Sequence, residues 1–272
     1  MTTKPDAGWL VPDWPAPAQV RALSTTRQGG VSAGPYGLAG GAAGGLNLGL
    51  HVGDDAAAVQ ANRARLEAVL PRAPRWLDQV HGCGVATAGQ AGGAEPAPPR
   101  ADACISVEAG QVCVVMTADC LPVLLCDRAG TVVGAAHAGW RGLCAGVIEA
   151  TLARMAGARS GAGGAPGWLA WLGPAIGPAA FEVGAEVREA FLAEADAAGR
   201  GEQAAVAAAF RAGAPGKYYA DIHALARVRL ARAGCHAVYG GDACTVADAE
   251  RFYSYRRDGV TGRMATLVWL AS

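Results

Sequence analysis

The stretch Thr117-Ala118-Asp119-Cys120-Leu121-Pro122-Val123-Leu124-Leu125-Cys126-Asp127-Arg128-Ala129-Gly130-Thr131-Val132-Val133-Gly134-Ala135-Ala136-His137-Ala138-Gly139-Trp140-Arg141-Gly142 holds two apolar runs either side of a short polar one. Val123 to Cys126 and Thr131 to Ala136 read as strands, and Asp127-Arg128-Ala129-Gly130 reads as the turn between them, so the pattern predicts a β-hairpin. If Arg128 and Ala129 are the two loop residues, Cys126 faces Thr131, Leu124 faces Val133 and Cys120 faces His137. Directly opposed side chains have Cβ atoms about 4.5–5.5 Å apart on one face, close enough for one ion to reach both. A one-residue slip would put them on opposite faces. Pro122, which cannot donate to a ladder, marks where a bulge would produce that slip.

Working outward, strands are expected at Ala18 to Thr25, Gln111 to Met116, Trp168 to Leu172, Ala237 to Gly240 and Arg263 to Leu270. Helices are expected at Asp54 to Leu70, Leu143 to Met155, Ala185 to Ala198, Glu202 to Ala212 and Asp221 to Ala233. The last has an acidic cap, an apolar stripe through Leu225, Val228 and Leu230, and Gly234 just past its end. Strands and helices mix without clean βαβ alternation, which favours an α+β fold over a doubly wound sheet. Gly37 to Gly45, Ala88 to Pro99 and Arg159 to Gly167 are rich in Gly, Ala or Pro and read as loops. None is long or charged enough to be a linker, so one domain over residues 1–272 is expected.

Composition narrows the function classes. With 23 basic and 23 acidic residues, net charge forces no face towards nucleic acid or anionic lipid. No run approaches the roughly 18 apolar residues of a membrane span. Met1 to Pro15, with Asp6, Asp13 and its prolines, is unlike a signal peptide. A cytoplasmic protein follows, whose eight scattered cysteines are expected to be thiols, mostly in the core. A monomer is expected.

Three short segments each carry one metal-competent side chain: Asp78-Gln79-Val80-His81-Gly82, Ala118-Asp119-Cys120-Leu121-Pro122 and Ala136-His137-Ala138-Gly139-Trp140-Arg141-Gly142. Three protein ligands with an open fourth position is how a catalytic zinc is usually held. The alternative for each residue is a core thiol or a hydrogen-bonded structural imidazole. Gly139-Trp140-Arg141-Gly142 leads a strand into a helix and is either an anion site using Arg141 or a tight turn with a surface arginine. Arg27, in Thr25-Thr26-Arg27-Gln28-Gly29-Gly30-Val31-Ser32, is a second candidate anion contact, and Asn47 a candidate for binding a hydroxyl or base. Asp119 either orients a ligand or moves a proton, or is a structural turn residue. Arg251-Phe252-Tyr253-Ser254-Tyr255-Arg256-Arg257-Asp258-Gly259 reads better as a buried aromatic turn with structural arginines than as a nucleic-acid patch, given the neutral net charge.

On these segments, together with Asn47-Leu48-Gly49, His51-Val52-Gly53-Asp54-Asp55 and Gly173-Pro174-Ala175-Ile176-Gly177-Pro178, the chain resembles the laccase-domain proteins. These were long labelled polyphenol oxidases and are now described as purine nucleoside phosphorylases with adenosine deaminase activity. The matches span nearly the whole chain in order. The resemblance implies two packed mixed β-sheets with helices outside, in α/β/β/α layers. It implies a Zn2+ site at His81, Cys120 and His137. It also implies phosphorolysis of adenosine, inosine and methylthioadenosine, and hydrolytic deamination of adenosine. Phe181 stands where the family often has Tyr, and Ala247 where many members carry Cys.

Two other chemistries compete. A copper-dependent polyphenol oxidase needs many histidines, commonly in H-x-H pairs; the chain has five His and no such pair, although Cu2+ would compete with zinc for a soft N/S site. A metal-free hydrolase would use Cys120 as a thiolate activated by His137, acting on peptidoglycan precursors as some relatives have been linked to doing. The zinc deaminase signature, H-x-E with P-C-x-x-C, is absent, so deamination would need a different site.

Overall fold

The computed structural model describes residues 8–89, 97–159 and 167–271. Most of the loops expected at Ala88 to Pro99 and Arg159 to Gly167, and the first seven residues of the Met1 to Pro15 stretch, lie outside the described residues. In chain order the elements are β1 (Val20–Ser24), β2 (Gln28–Ser32), α1 (Ala56–Glu67), β3 (Val85–Thr87), β4 (Ala103–Ser106), β5 (Val112–Thr117), β6 (Leu121–Asp127), β7 (Val133–Ala138), α2 (Trp140–Ala145) and α3 (Val147–Ala158). There follow β8 (Trp168–Leu172), β9 (Glu182–Gly184), α4 (Ala185–Ala198), α5 (Gln203–Ala208), β10 (Phe210–Ala212), β11 (Lys217–Ala220), α6 (Ile222–Arg232), β12 (Ala237–Gly240), α7 (Tyr255–Asp258) and β13 (Met264–Leu270).

The fold is α+β. A six-stranded mixed sheet, ordered β12-β8-β6-β7-β4-β3, packs against an antiparallel three-stranded sheet, β1-β13-β5. Alternation along each strand builds the layers. Leu124 and Cys126 of β6, Val133 and Ala135 of β7 and Cys104 of β4 face Cys113, Val115 and Val268 of the smaller sheet. The intervening Leu121, Val123, Leu125, Ala136 and Ala138 face the other way, into a core with Leu143, Ile148, Leu152 and Leu225 of the helices. Outside the smaller sheet, Leu23, Val114 and Leu267 pack with Leu66 of α1. The order is therefore α/β/β/α, with a small third sheet, β10-β11-β9, added.

The hairpin forms, with its register displaced by two residues from the expected one. Leu124 pairs with Ala135, Cys126 with Val133 and Pro122 with His137. The Asp127 carboxylate enlarges the turn, accepting from Thr131 N at 2.7 Å, Thr131 Oγ1 at 2.6 Å and Val132 N at 3.2 Å. Because the displacement is even, every side chain keeps its face, and Cys120 lies diagonal to His137 rather than opposite. His137 N donates to Asp102 O on the far side, so no ladder bond is asked of Pro122 across this pair.

Other boundaries also moved. The helix expected from Leu143 to Met155 breaks at Gly146, which has φ of 99°, a conformation glycine adopts without a Cβ clash. The helix expected from Glu202 to Ala212 stops at Ala208, because Phe210 turns into the core and pairs with Ala220 in β10–β11. Asp55 and Asp221 cap α1 and α6 by accepting from Ala57 N and Ala224 N. Among the described residues, no helix is long and apolar enough to cross a membrane.

Asp127 is 1% exposed, and its loss would strand three donors. Asp127→Ala is expected to lower unfolding stability by about 2–3 kcal/mol, read as a fall in the urea midpoint.

Candidate metal centre

The site lies at one end of the two-sheet sandwich, where β6 starts, β7 ends, β5 ends and β13 begins. The chain crosses from the smaller sheet to the larger through Ala118-Asp119-Cys120, and Asp119 turns the corner at φ of 96°. Both Asp119 oxygens are engaged, one by Thr245 Oγ1 at 2.6 Å and one by Arg256 N at 2.7 Å. Its carbonyl accepts from Ile176 N at 2.9 Å. Asp119 thus holds the corner that presents Cys120.

His137 sits near the end of β7, 3% exposed, on the face that looks into the sandwich. Asp102, one residue before β4, is its cross-strand neighbour, and their side chains meet with Asp102 Oδ1 2.8 Å from His137 Nδ1. The same carboxylate accepts from three consecutive backbone N–H groups, Val80 at 3.2 Å, His81 at 2.9 Å and Gly82 at 2.7 Å. These bonds hold His81 at φ of 59°, a left-handed conformation that costs free energy for a residue with a side chain. Gln79 anchors the loop from the other side, donating to Met116 O at 2.8 Å and accepting from Met116 N at 2.7 Å.

These constraints bring His81, Cys120 and His137 together. Their ligand atoms lie within 4.8 Å of one another, and among the described residues this is the one group of three or more His, Cys, Asp or Glu so arranged. His81 Nε2 is 3.8 Å from Cys120 Sγ. Ligand pairs around a tetrahedral zinc with bonds of about 2.0–2.3 Å stand about 3.3–3.7 Å apart, so the 3.8 Å pair is already close to that spacing, and the widest pair, at up to 4.8 Å, closes by roughly 1 Å on binding an ion. With Nδ1 committed to Asp102, His137 offers Nε2, the carboxylate–histidine–metal arrangement. Gly139 completes the cradle: a Cβ there would stand 2.7 Å from His81 Cδ2 and 3.0 Å from Cys120 Sγ.

Electrostatics follow from the packing. Burial raises the pKa of the Cys120 thiol, but the neighbouring His137 and His81 outweigh it and bring the thiol down to about 6. Burial likewise opposes protonation of His137, yet the Cys120 thiolate and the Asp102 carboxylate lift the imidazole to about 9. In the absence of an ion the two groups form a thiolate–imidazolium pair. Burial also disfavours charge on Asp102, but its bonds from His137 and the loop N–H groups prevail and its carboxyl lies below the usual range.

A cavity of about 420 Å3 opens over the three side chains; Thr117, His51, Tyr255 and Arg263 complete much of its wall. No carboxylate lines it among the described residues. Burial lowers the His51 pKa, and the cations Arg263 and Arg63 lower it further.

Three residues read from sequence as substrate contacts are not in this wall. Arg27 is buried and donates to Gly37 O at 2.8 Å and Ala249 O at 2.8 Å, clamping two loops. Arg141 is exposed and lies over the Trp140 ring, 4.5 Å from its centroid. Asn47 is fully buried; it donates to Asp54 at 2.9 Å and accepts from Gly49 N at 3.0 Å and Arg263 N at 2.8 Å. Arg257 donates to the carbonyls of Thr245, Val246 and Phe252, as a structural arginine in an aromatic turn does. Sequence reasoning missed Asp102 and Arg263. Asp102 had a signal, an acid directly before a short apolar strand; Arg263 had only its place at a strand start.

A family described as multi-copper polyphenol oxidoreductase laccase matches residues 21–271. A protein of Pseudomonas aeruginosa named purine nucleoside phosphorylase PA4543 is 53% identical over 266 residues, covering 96% of this chain and 98% of that one. Purine nucleoside phosphorylase YfiH of Escherichia coli is 53% identical over 263 residues, with 96% and 98% covered. Among solved structures, Neisseria meningitidis protein NMB0706 superposes with a TM-score of 0.84 at 47% identity, covering 97% of this chain and 100% of that one. YlmD from Geobacillus stearothermophilus gives 0.82 at 31% identity, with 100% and 99% covered.

Metal loading at pH 7 is expected to release about one proton from the Cys120–His137 pair, because ligands bind deprotonated and the imidazolium must give up its proton. Calorimetry in buffers of different ionisation enthalpy measures this. In metal-free protein, alkylation of Cys120 is expected to titrate near pH 6, above which the thiolate is present. Asp102→Asn is expected to weaken metal binding by about 10–100-fold, and Gly139→Ala to empty the site, both read by competition with a chromogenic chelator.

Proposed function

The chain belongs to the family of multi-copper polyphenol oxidoreductase laccases, and within it we propose a single-domain, cytoplasmic, monomeric purine nucleoside phosphorylase. Its substrates on this reading are adenosine, inosine and methylthioadenosine with phosphate, and it also deaminates adenosine. The observation that carries the reading is the His81–Cys120–His137 cluster at the floor of a cavity that no carboxylate lines among the described residues. The names of relatives covering almost their whole length support the substrate class.

In the reaction a phosphate oxygen bonds to the sugar C1′ as the bond from C1′ to the purine nitrogen breaks. The bonding electrons leave on the base, which takes up a proton. The chain has three tasks: to bind an oxyanion beside the sugar, to hold the base, and to keep the reacting atoms aligned. Tyr255, 60% exposed at the mouth, offers a ring face for a purine to stack on. His51, held neutral, is a hydrogen-bonding group for the base or sugar. His81, Cys120 and His137 would hold Zn2+, with Cu2+ as the competitor favoured by the usual affinity order. A bound divalent ion supplies Lewis acidity, able to polarise a substrate oxygen or lower the pKa of water, chemistry that deamination also requires. Asp102 keeps His137 in one tautomer, and Asp119 holds the Cys120 corner.

One observation favours a second reading. Cys120, His137 and Asp102 form a thiolate–imidazole–carboxylate chain of the kind used by cysteine hydrolases, for which a peptidoglycan-precursor amide is the candidate substrate. His81 Nε2 at 3.8 Å from the sulfur has no task in such a triad and an obvious one in metal binding, so the metal reading is preferred. A polyphenol oxidase with several coppers finds one three-donor group among the described residues.

Incubated with inosine and phosphate, the metal-quantified protein is expected to yield hypoxanthine and ribose 1-phosphate in equal amounts. Hypoxanthine release at the same rate without phosphate would make it a hydrolase. Cys120→Ala is expected to abolish both the metal and the activity.

A further inference from the structure

Arg263 is the one arginine or lysine among the described residues lining the cavity, and one edge of its guanidinium is left without a hydrogen-bond acceptor. Nη1 donates to Thr261 O and Gly262 O, each at 3.1 Å. Nε and Nη2 meet no protein acceptor, and no carboxylate pairs with the guanidinium, among the described residues. The side chain is half-buried, and desolvation lowers its pKa. Cys120 and Asp119 offset part of that desolvation from a distance, and the Tyr255 ring lies 5.9 Å from the guanidinium, but the Nε–Nη2 edge keeps donors that a bound oxyanion would satisfy.

The backbone is built to hold this residue. Arg263 N donates to Asn47 Oδ1 at 2.8 Å and its carbonyl accepts from Leu48 N at 3.1 Å. Its stem lies across Gly49, where a Cβ would stand 2.9 Å from Arg263 Cγ. The buried Asn47, the Asn47-Leu48-Gly49 segment and the start of β13 thus form a mount for one guanidinium. A free N–H edge of that fork matches two oxygens of a tetrahedral oxyanion.

We propose that Arg263 is the inorganic-phosphate-binding residue of this cavity, a specificity-determining contact facing the His81–Cys120–His137 floor. This deepens the phosphorylase reading and rests on it for the identity of the oxyanion. It also explains why the two arginines that stand out in the sequence are not used: Arg27 spends its donors on loop carbonyls and Arg141 lies outside on Trp140.

The test uses full-length, metal-loaded protein. Arg263→Gln should raise the KM for phosphate by about 10–100-fold, the range for a lost charge-assisted hydrogen bond, with little change in the KM for inosine. Arg263→Lys should recover part of the loss, and Arg141→Ala should match the wild type. Independently of turnover, wild-type protein should broaden the phosphorus resonance of inorganic phosphate and Arg263→Gln should not. If Arg263→Gln melts early, the lysine variant decides: a selective rise in phosphate KM supports the subsite, and equal effects on both substrates overturn it. Unchanged phosphate KM and unchanged broadening in Arg263→Gln would overturn the subsite while leaving phosphorolysis intact. Phosphate binding lost with Arg263 in a protein that forms no ribose 1-phosphate would keep the subsite and remove the phosphorylase reading.

Discussion

The Asp102 carboxylate, buried at the start of β4, accepts hydrogen bonds from Val80, His81 and Gly82 and meets the Nδ1 of His137. The rest of the site depends on this convergence. A buried carboxylate must be satisfied by donors, and the donors here are His137 and three consecutive backbone N–H groups centred on His81. One charge therefore orients His137, bends the loop that carries His81, and holds His81 in a backbone conformation it would otherwise leave. Removing the charge would loosen two ligands together, which makes Asp102 as important to the centre as any residue that would touch an ion.

The sandwich supplies the other half. Cys120 lies where the chain leaves the β1-β13-β5 sheet and enters the six-stranded sheet. Such a corner needs a residue in the left-handed region, and Asp119 serves because its short polar side chain finds partners in Thr245 and Arg256. The strands that end at this corner also end in the cavity, whose wall takes Met116 and Thr117 from the end of β5. Arg263 enters at the first turn-out of β13, beside Thr117, its neighbour in the ladder through Met264. The Cys120–His137 floor and the Arg263 wall thus come from opposite sheets, and their separation is set by sheet-on-sheet packing.

Most of the strands and helices that build the layers could be read from periodicity and caps, and the hairpin of β6 and β7 could be read down to which side chains share a face. The faces are kept through a two-residue change of register because only an odd slip reverses a strand. The register itself was missed because Asp127 accepts from Thr131 and Val132 and so enlarges the loop, a side-chain effect that turn statistics do not carry. The break at Gly146 and the turn of Phe210 from helix into strand were missed for a related reason: each is decided by what the residue packs against, not by its neighbours in the chain.

The sequence by itself determined the residue types of the candidate centre, two histidines and a thiol at element ends, and it brought Cys120 near His137 because a short hairpin leaves few alternatives. Tertiary structure alone showed how His81 reaches the other two, with Asp102 as the common acceptor, and it lines the cavity with Arg263 rather than with Arg27, Arg141 or Asn47. The physical reason is range. Strand pairing over a short loop is a local constraint and is legible in composition and spacing. Which arginine faces a cavity depends on which carbonyls and carboxylates elsewhere in the chain have already taken its donors, and those partners meet only when the two sheets close on each other.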